Sequence, residues 1–232
     1  MPPDFYLSSL DSSLDRLKAL ATQPNQMLAR PVPACPDWRL EDLLGHLGSI
    51  ERWVVDVLRG GKYVEEQPRP AGGAAAWFLD GADNFQRAMK AIDPHMPCWN
   101  LGPPPRTAGF WLRRQAHEHA IHLVDACQAS GFAAPPDFGE DFMLDGIDEV
   151  LAMFVPRQLR LKRMPEPEGA VVFHVSRTIK WTIGQGPTRA SVTAPLSEMY
   201  LGLWCRSKLA DIATVEGDAS VALRVLQGPL TP

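Results

Sequence analysis

Residues 117–122 read His-Glu-His-Ala-Ile-His, so three of the chain's six histidines stand within six positions of one another. The surrounding pattern is helical. At about 100° per residue, Glu118 and His122 lie about 40° apart on one helix face, close enough for a carboxylate and an imidazole to share one divalent cation. His117 sits about 140° from His122 and cannot join them; His119, about 60° from His122 and about 100° from Glu118, is poorly placed. The segment is not His-Glu-x-x-His, because position 121 is Ile. Glu118 is therefore a candidate ligand rather than the general base of that motif. A third ligand has to come from another element. His46 offers itself, set among Leu43, Leu47 and Ile50 on the apolar side of a different helical pattern.

Two readings of these residues stand side by side. A Glu and a His four positions apart often form only a hydrogen-bonded pair, and a buried histidine often serves only the core. However, buried polar side chains on facing helices are also how bundles build metal sites. Three protein ligands leave an open coordination position, as in catalytic zinc sites. Two neutral imidazoles, one carboxylate and Zn²⁺ sum to a single positive charge, which favours hydroxide or a thiolate as the further ligand; a coordinated thiol is deprotonated outright. Gln115 and Asp125 share the stripe with Glu118 and His122 and could orient the ligands.

The elements that must hold these residues are helices. Apolar residues Phe5, Leu7, Leu10, Leu14, Leu17 and Leu20 recur every three or four positions and predict a helix over 4–22. A second helix is expected from Asp37, as N-cap, to residue 59, ended by Gly60-Gly61; a third spans 74–92; a fourth, 107–130, carries the histidines. A fifth is expected over 139–161, kinked by Pro156. From residue 164 the texture changes to short β-prone runs at 171–175, 180–183 and 190–193. Helices are expected at 196–209 and 219–227, with a strand near 214–215 between them. Gly184-Gln185-Gly186-Pro187 reads as a turn between strands; it lacks the third glycine and the following helix of a phosphate loop. The expected organisation is mainly α, a four-helix bundle over 1–163 followed by a small α+β domain over 164–232.

Composition narrows the partners. The chain of 232 residues is 45% hydrophobic and 22% charged, with a net charge of −4. No basic stripe marks a nucleic-acid surface. The apolar run at 150–155 is far too short to cross a bilayer. The N-terminal residues show no basic start followed by an apolar stretch, so no export signal is expected. Cys35, Cys98, Cys127 and Cys205 form no Cys-x-x-Cys pair and suit free thiols in a reducing cytoplasm, although two bridges are also open to them.

Three segments together resemble one family. Residues 32–47, Val-Pro-Ala-Cys-Pro-Asp-Trp-Arg-Leu-Glu-Asp-Leu-Leu-Gly-His-Leu, carry a tryptophan followed by a helix with a histidine. Residues 114–126 supply Glu118, His122 and Asp125, and Leu-Gly-Leu-Trp-Cys-Arg at 201–206 precedes Val-Glu-Gly-Asp at 215–218. In this order and spacing they are similar to the mycothiol-dependent maleylpyruvate isomerase family, a branch of the DinB-like four-helix metalloenzymes with a sterol-carrier-like small domain. The resemblance implies zinc at His46, Glu118 and His122, and mycothiol as thiol cosubstrate. It also implies that Arg206 handles a carboxylated substrate. Cys205 stands where the family usually has glycine, which points away from maleylpyruvate itself and toward the broader thiol S-transfer chemistry. The residues alone make Arg206 equally a helix C-terminal cation, and Trp38 a packing residue at the start of its helix. The expected enzyme is thus a cytoplasmic zinc-dependent S-transferase or cis–trans isomerase. A zinc hydrolase using Asp125 or His119 as base, or a non-enzymatic binder of a small ligand, are the other expectations.

Overall fold

The computed structural model describes residues 1–131 and 136–231. The chain divides into two compact units, Met1–Pro136 and Asp137–Pro232.

In the first unit the elements follow as α1 (Pro3–Ala21), a short α2 (Asn25–Leu28), β1 (Pro31–Val32), β2 (Cys35–Arg39), α3 (Leu40–Gly60), α4 (Ala74–Lys90) and α5 (Gly109–Ser130). The four long helices form the expected bundle, with α1 packed on α4 and α5, and α3 packed on the same two. Leu10, Leu14 and Leu17 of α1 and Leu43, Leu44 and Leu47 of α3 are buried at the helical spacing that predicted them, and Phe78 and Phe85 of α4 are buried with them. The α3–α4 contact is close because α3 lacks side chains there. A Cβ on Gly45 would stand 2.9 Å from the Ala74 Cβ, and one on Gly48 2.7 Å from Trp77 Cδ1.

The start of α3 differs from expectation. Asp37 is not its N-cap: residues 35–39 pair with β1 as an antiparallel ribbon, and the helix begins at Leu40. Asp42 closes the first turn instead, its Oδ2 accepting the Arg39 backbone N–H at 2.9 Å. The ribbon carries Trp38 toward the start of the helix that bears His46. Gly61, in the left-handed region at φ 64°, ends α3 as expected.

The second unit holds α6 (Glu140–Asp148), a π-helical segment (Glu149–Phe154), α7 (Val155–Arg160), β3 (Ala170–His174), β4 (Lys180–Ile183), β5 (Thr188–Thr193), α8 (Leu196–Leu203), α9 (Leu209–Ile212), β6 (Thr214–Gly217) and α10 (Ala219–Leu226). The boundary expected after residue 163 therefore falls earlier. The helices over 140–160 belong with the second unit because their apolar side chains pack on α8 and its C-terminal end: Phe142 lies against Tyr200, and Phe154 meets Trp204 edge-on. Pro156 does not simply kink the helix. Its missing N–H and bulky ring disturb the preceding turn, and the backbone widens into the π-helical segment just before it.

The sheet runs β4-β3-β5-β6. β3 pairs antiparallel with β4 and parallel with β5, so the turn at Gly184–Pro187 does not join neighbours. It crosses the start of β3, so close that a Cβ on Gly184 would lie 2.5 Å from the Gly169 carbonyl oxygen. The helix expected over 196–209 stops at Leu203 and restarts at Leu209. The stop is a Schellman motif: Arg206 N–H donates to Leu201 O at 2.7 Å and Cys205 N–H to Gly202 O at 3.0 Å. Cys205 occupies the left-handed position at φ 62°, where glycine is the unstrained choice.

Candidate metal centre

α5 is the helix that carries the polar cluster, and it is buried on almost every face, including His117, His119, His122 and Asp125. Polar side chains in such a helix must find partners inside the bundle. Each cluster member resolves that need differently.

His46 of α3 and Glu118 and His122 of α5 come together. Nε2 of His46 and Nε2 of His122 each lie 3.3 Å from the same oxygen, Oε1 of Glu118. One ligand atom from each residue lies within 4.8 Å of the other two. The imidazole rings meet edge to face, with centroids 5.1 Å apart and planes at 73°. Trp38 covers the pair, its ring 5.0 Å from His46 and stacked 6.2 Å from His122. It is thus a wall of this site as well as a packing residue.

The neighbours fix how these atoms are presented. His122 Nδ1 pairs with Asp125 Oδ2 at 2.9 Å, so the neutral ring keeps its proton on Nδ1 and its lone pair on Nε2, while the protonated ring also donates from Nε2 to Glu118. Arg114, one turn before Glu118 and only 4% exposed, donates from Nη2 to Glu118 Oε2 at 2.9 Å. The carboxylate therefore turns one oxygen to the arginine and the other to the histidines. Burial works against the charged form of Glu118. The hydrogen bonds with His122 and His46 and the Arg114 charge outweigh it and hold the carboxyl well below its usual range. Burial also works against His122 protonation, but the hydrogen bonds to Asp125 and Glu118 push its pKa up. Two imidazole nitrogens and an anionic oxygen, all lone-pair donors converging on one point, call for positive charge. This donor set fits a divalent cation such as zinc.

His119 faces elsewhere, as its angle predicted. Its Nδ1–H donates to the Gln115 carbonyl at 2.9 Å, its Nε2 lies 3.0 Å from Glu51 Oε1, and its ring stacks on Phe85 at 5.2 Å. Glu51 is fully buried. That burial raises its pKa, against the opposing hydrogen bond and charge of His119 and the charges of Arg52 and Lys18. Gln115 joins this second network through its backbone. His117 is also buried away from the three candidate ligands. Arg206 belongs to the second unit, where its Nη1 donates to the Trp204 carbonyl at 2.6 Å.

Sequence reasoning missed Arg114 and Glu51. Arg114 was open to discovery as the i−4 partner of Glu118. Glu51 was not, because its partner is 68 residues away. Cys35, Cys98, Cys127 and Cys205 form no disulfide. No helix among the described residues is long and apolar enough to cross a membrane.

A helical bundle that brings two imidazoles and a carboxylate to one point offers the donor set of a candidate metal site. The sequence model of the mycothiol maleylpyruvate isomerase N-terminal domain matches residues 9–127, and that of the C-terminal domain of the same family matches residues 141–224. The chain belongs to the mycothiol-dependent maleylpyruvate isomerase family, a family of enzymes. Its fold is similar to a crystal structure of the mycothiol-dependent maleylpyruvate isomerase, with a TM-score of 0.58 and 12% identity over 94% of this chain and 95% of that one. A point mutant of that isomerase gives a TM-score of 0.60, also at 12% identity and the same coverage. No curated protein matches the sequence.

Proposed function

We propose that this enzyme holds a divalent cation, zinc in the first instance, at His46, Glu118 and His122. It would use that cation to activate mycothiol for attack on a small electrophile. The observation that carries the reading is the convergence of the two Nε2 atoms on Oε1 of Glu118, all within 4.8 Å, in a member of a mycothiol-dependent family. A bound divalent ion supplies Lewis acidity and lowers the pKa of a coordinated thiol to full ionisation.

The chain's own residues supply the rest. Asp125 keeps His122 in the tautomer that presents Nε2. Arg114 keeps Glu118 ionised and oriented. Trp38 screens the histidine pair and raises the strength of every charge interaction there. The thiolate sulfur forms a bond to an electrophilic carbon of the substrate. If the adduct is released with a proton added to the substrate, the enzyme is an S-transferase. If rotation about the former double bond is followed by loss of the thiolate, it is a cis–trans isomerase. Arg206 is proposed to hold a carboxylate of the substrate. We place the enzyme in the cytoplasm, in keeping with cysteines that form no disulfide.

A hydrolase is less well supported, because both candidate bases are engaged. Asp125 is bound to His122 Nδ1, and His119 is held between Glu51 and the Gln115 carbonyl. The test is the metal content of the purified protein, followed by turnover of mycothiol with electrophilic acceptors. One zinc per chain and thiol-dependent consumption of an acceptor are expected. A protein that takes up no divalent ion would contradict the reading.

A further inference from the structure

Arg114 carries a charge that its position has to justify. Its side chain is 5% exposed, and a guanidinium stays charged in proteins, so burial demands an anion. Glu118 Oε2 meets that demand at 2.9 Å. The same carboxylate is the anion of the proposed metal centre, so the arginine and the cation compete for it. A site built only for affinity would not place a fixed positive charge on its sole anionic ligand.

The two oxygens of Glu118 are not equivalent. Oε1 is 3.3 Å from both histidine Nε2 atoms, while Oε2 faces Arg114. The contacts of Glu118 with Arg114 and His122 are set by helix geometry, since the three succeed one another at i, i+4 and i+8 along α5, and His46 joins Oε1 from α3. Resting on the metal reading above, we infer that Arg114 is a positioning residue that restricts Glu118 to ligation through Oε1 alone. A carboxylate free at both oxygens can chelate and fill a further coordination position. Held by Arg114, it leaves that position to an exogenous anion such as a thiolate. The guanidinium also draws negative charge from the carboxylate, so the cation is less neutralised by its protein ligands and keeps more of its Lewis acidity.

The test is the visible spectrum of the cobalt-substituted protein, compared between the parent, Arg114→Met and Arg114→Lys. The parent is expected to give the intense bands of four-coordinate cobalt. Arg114→Met should give the weaker bands of five-coordinate cobalt and bind the metal with an affinity changed by about 10–100-fold, the range for loss of a ligand's hydrogen-bond partner. Arg114→Lys, which keeps the charge and a donor, should restore the parent spectrum. A purely structural arginine would alter stability in both variants and leave the coordination number unchanged. Superimposable parent and Arg114→Met spectra overturn the inference while leaving the metal reading intact. A parent that binds no cobalt defeats the metal reading, and the inference with it. Independently of any variant, X-ray absorption of the zinc-loaded parent should show one Glu118 oxygen at about 2.0–2.2 Å. A second carboxylate oxygen at that distance would overturn the inference even if Arg114→Met does not fold.

Discussion

Glu118, the one anionic member of the trio, is the residue on which the metal reading turns, and its two oxygens are used by different neighbours. Glu118→Gln removes the only negative charge among the three candidate ligands and should weaken zinc binding by more than the about 10–100-fold that loss of an outer partner costs. Asp125→Asn should fall within that range, because it disturbs only the tautomer of His122. Equilibrium dialysis of the three proteins against zinc measures both effects. His119 and Glu51 form a separate network, so His119→Ala should leave zinc content unchanged. Breaking the buried pair should still cost about 3 kcal/mol of stability in chemical denaturation. Glu51 also sets a pH dependence. Its pKa is raised in the folded state, chiefly by burial, so the native chain holds that proton more tightly than the unfolded one. The resulting stability is fully present below the unfolded value of about 4.3 and is lost as pH rises through the folded pKa. Glu51→Gln should flatten that part of the stability–pH curve; a variant with the parent's slope would show that another group titrates. The pairing of Glu118 with His122, the exclusion of His117 and the poor placement of His119 were legible in the sequence because they depend only on the angle per residue along one helix. His46 was legible as a buried polar residue awaiting a partner. The Glu51–His119 pair was not, because no local spacing encodes a contact between two helices.

At the level of elements, periodicity located the long helices to within a few residues, while their ends obeyed chemistry that a pattern of apolar residues does not display. Asp37 looked like a cap, yet its segment pairs with β1, and Asp42 does the capping from inside the helix. Leu209 continues the apolar spacing of α8, yet the backbone turns at Cys205. The hydrogen bonds of that turn are those of a glycine-ended helix made with a non-glycine residue. An L-residue in the left-handed region is disfavoured by roughly 1–2 kcal/mol, part of which glycine returns in unfolded-state entropy. Cys205→Gly should therefore raise stability by about 1 kcal/mol, read as a higher midpoint of denaturation with an unchanged slope. No gain would mean that the cysteine side chain makes compensating contacts. The strand order was also beyond the sequence. A glycine-rich link of four residues normally suggests a hairpin, but Gly184 and Gly169 allow this one to cross the start of β3 instead.

For the whole molecule, the fold class was readable from the change in texture along the chain, but the division between units was not. The helices at 140–160 have the same periodicity as the bundle helices, and only their contacts with Tyr200 and Trp204 assign them to the second unit. All three candidate ligands lie in Met1–Pro136, whereas Arg206 lies in Asp137–Pro232. Arg206→Ala should accordingly leave zinc content at the parent level while raising KM for a carboxylated acceptor. Unchanged kinetics would reduce Arg206 to its role at the end of α8. Titrating the cobalt-loaded protein with mycothiol asks whether one cation held between α3 and α5 receives a thiol. A saturable sulfur-to-cobalt charge-transfer band in the near ultraviolet is expected, and it should be absent from His46→Ala. A cobalt spectrum indifferent to the thiol at every concentration would contradict it.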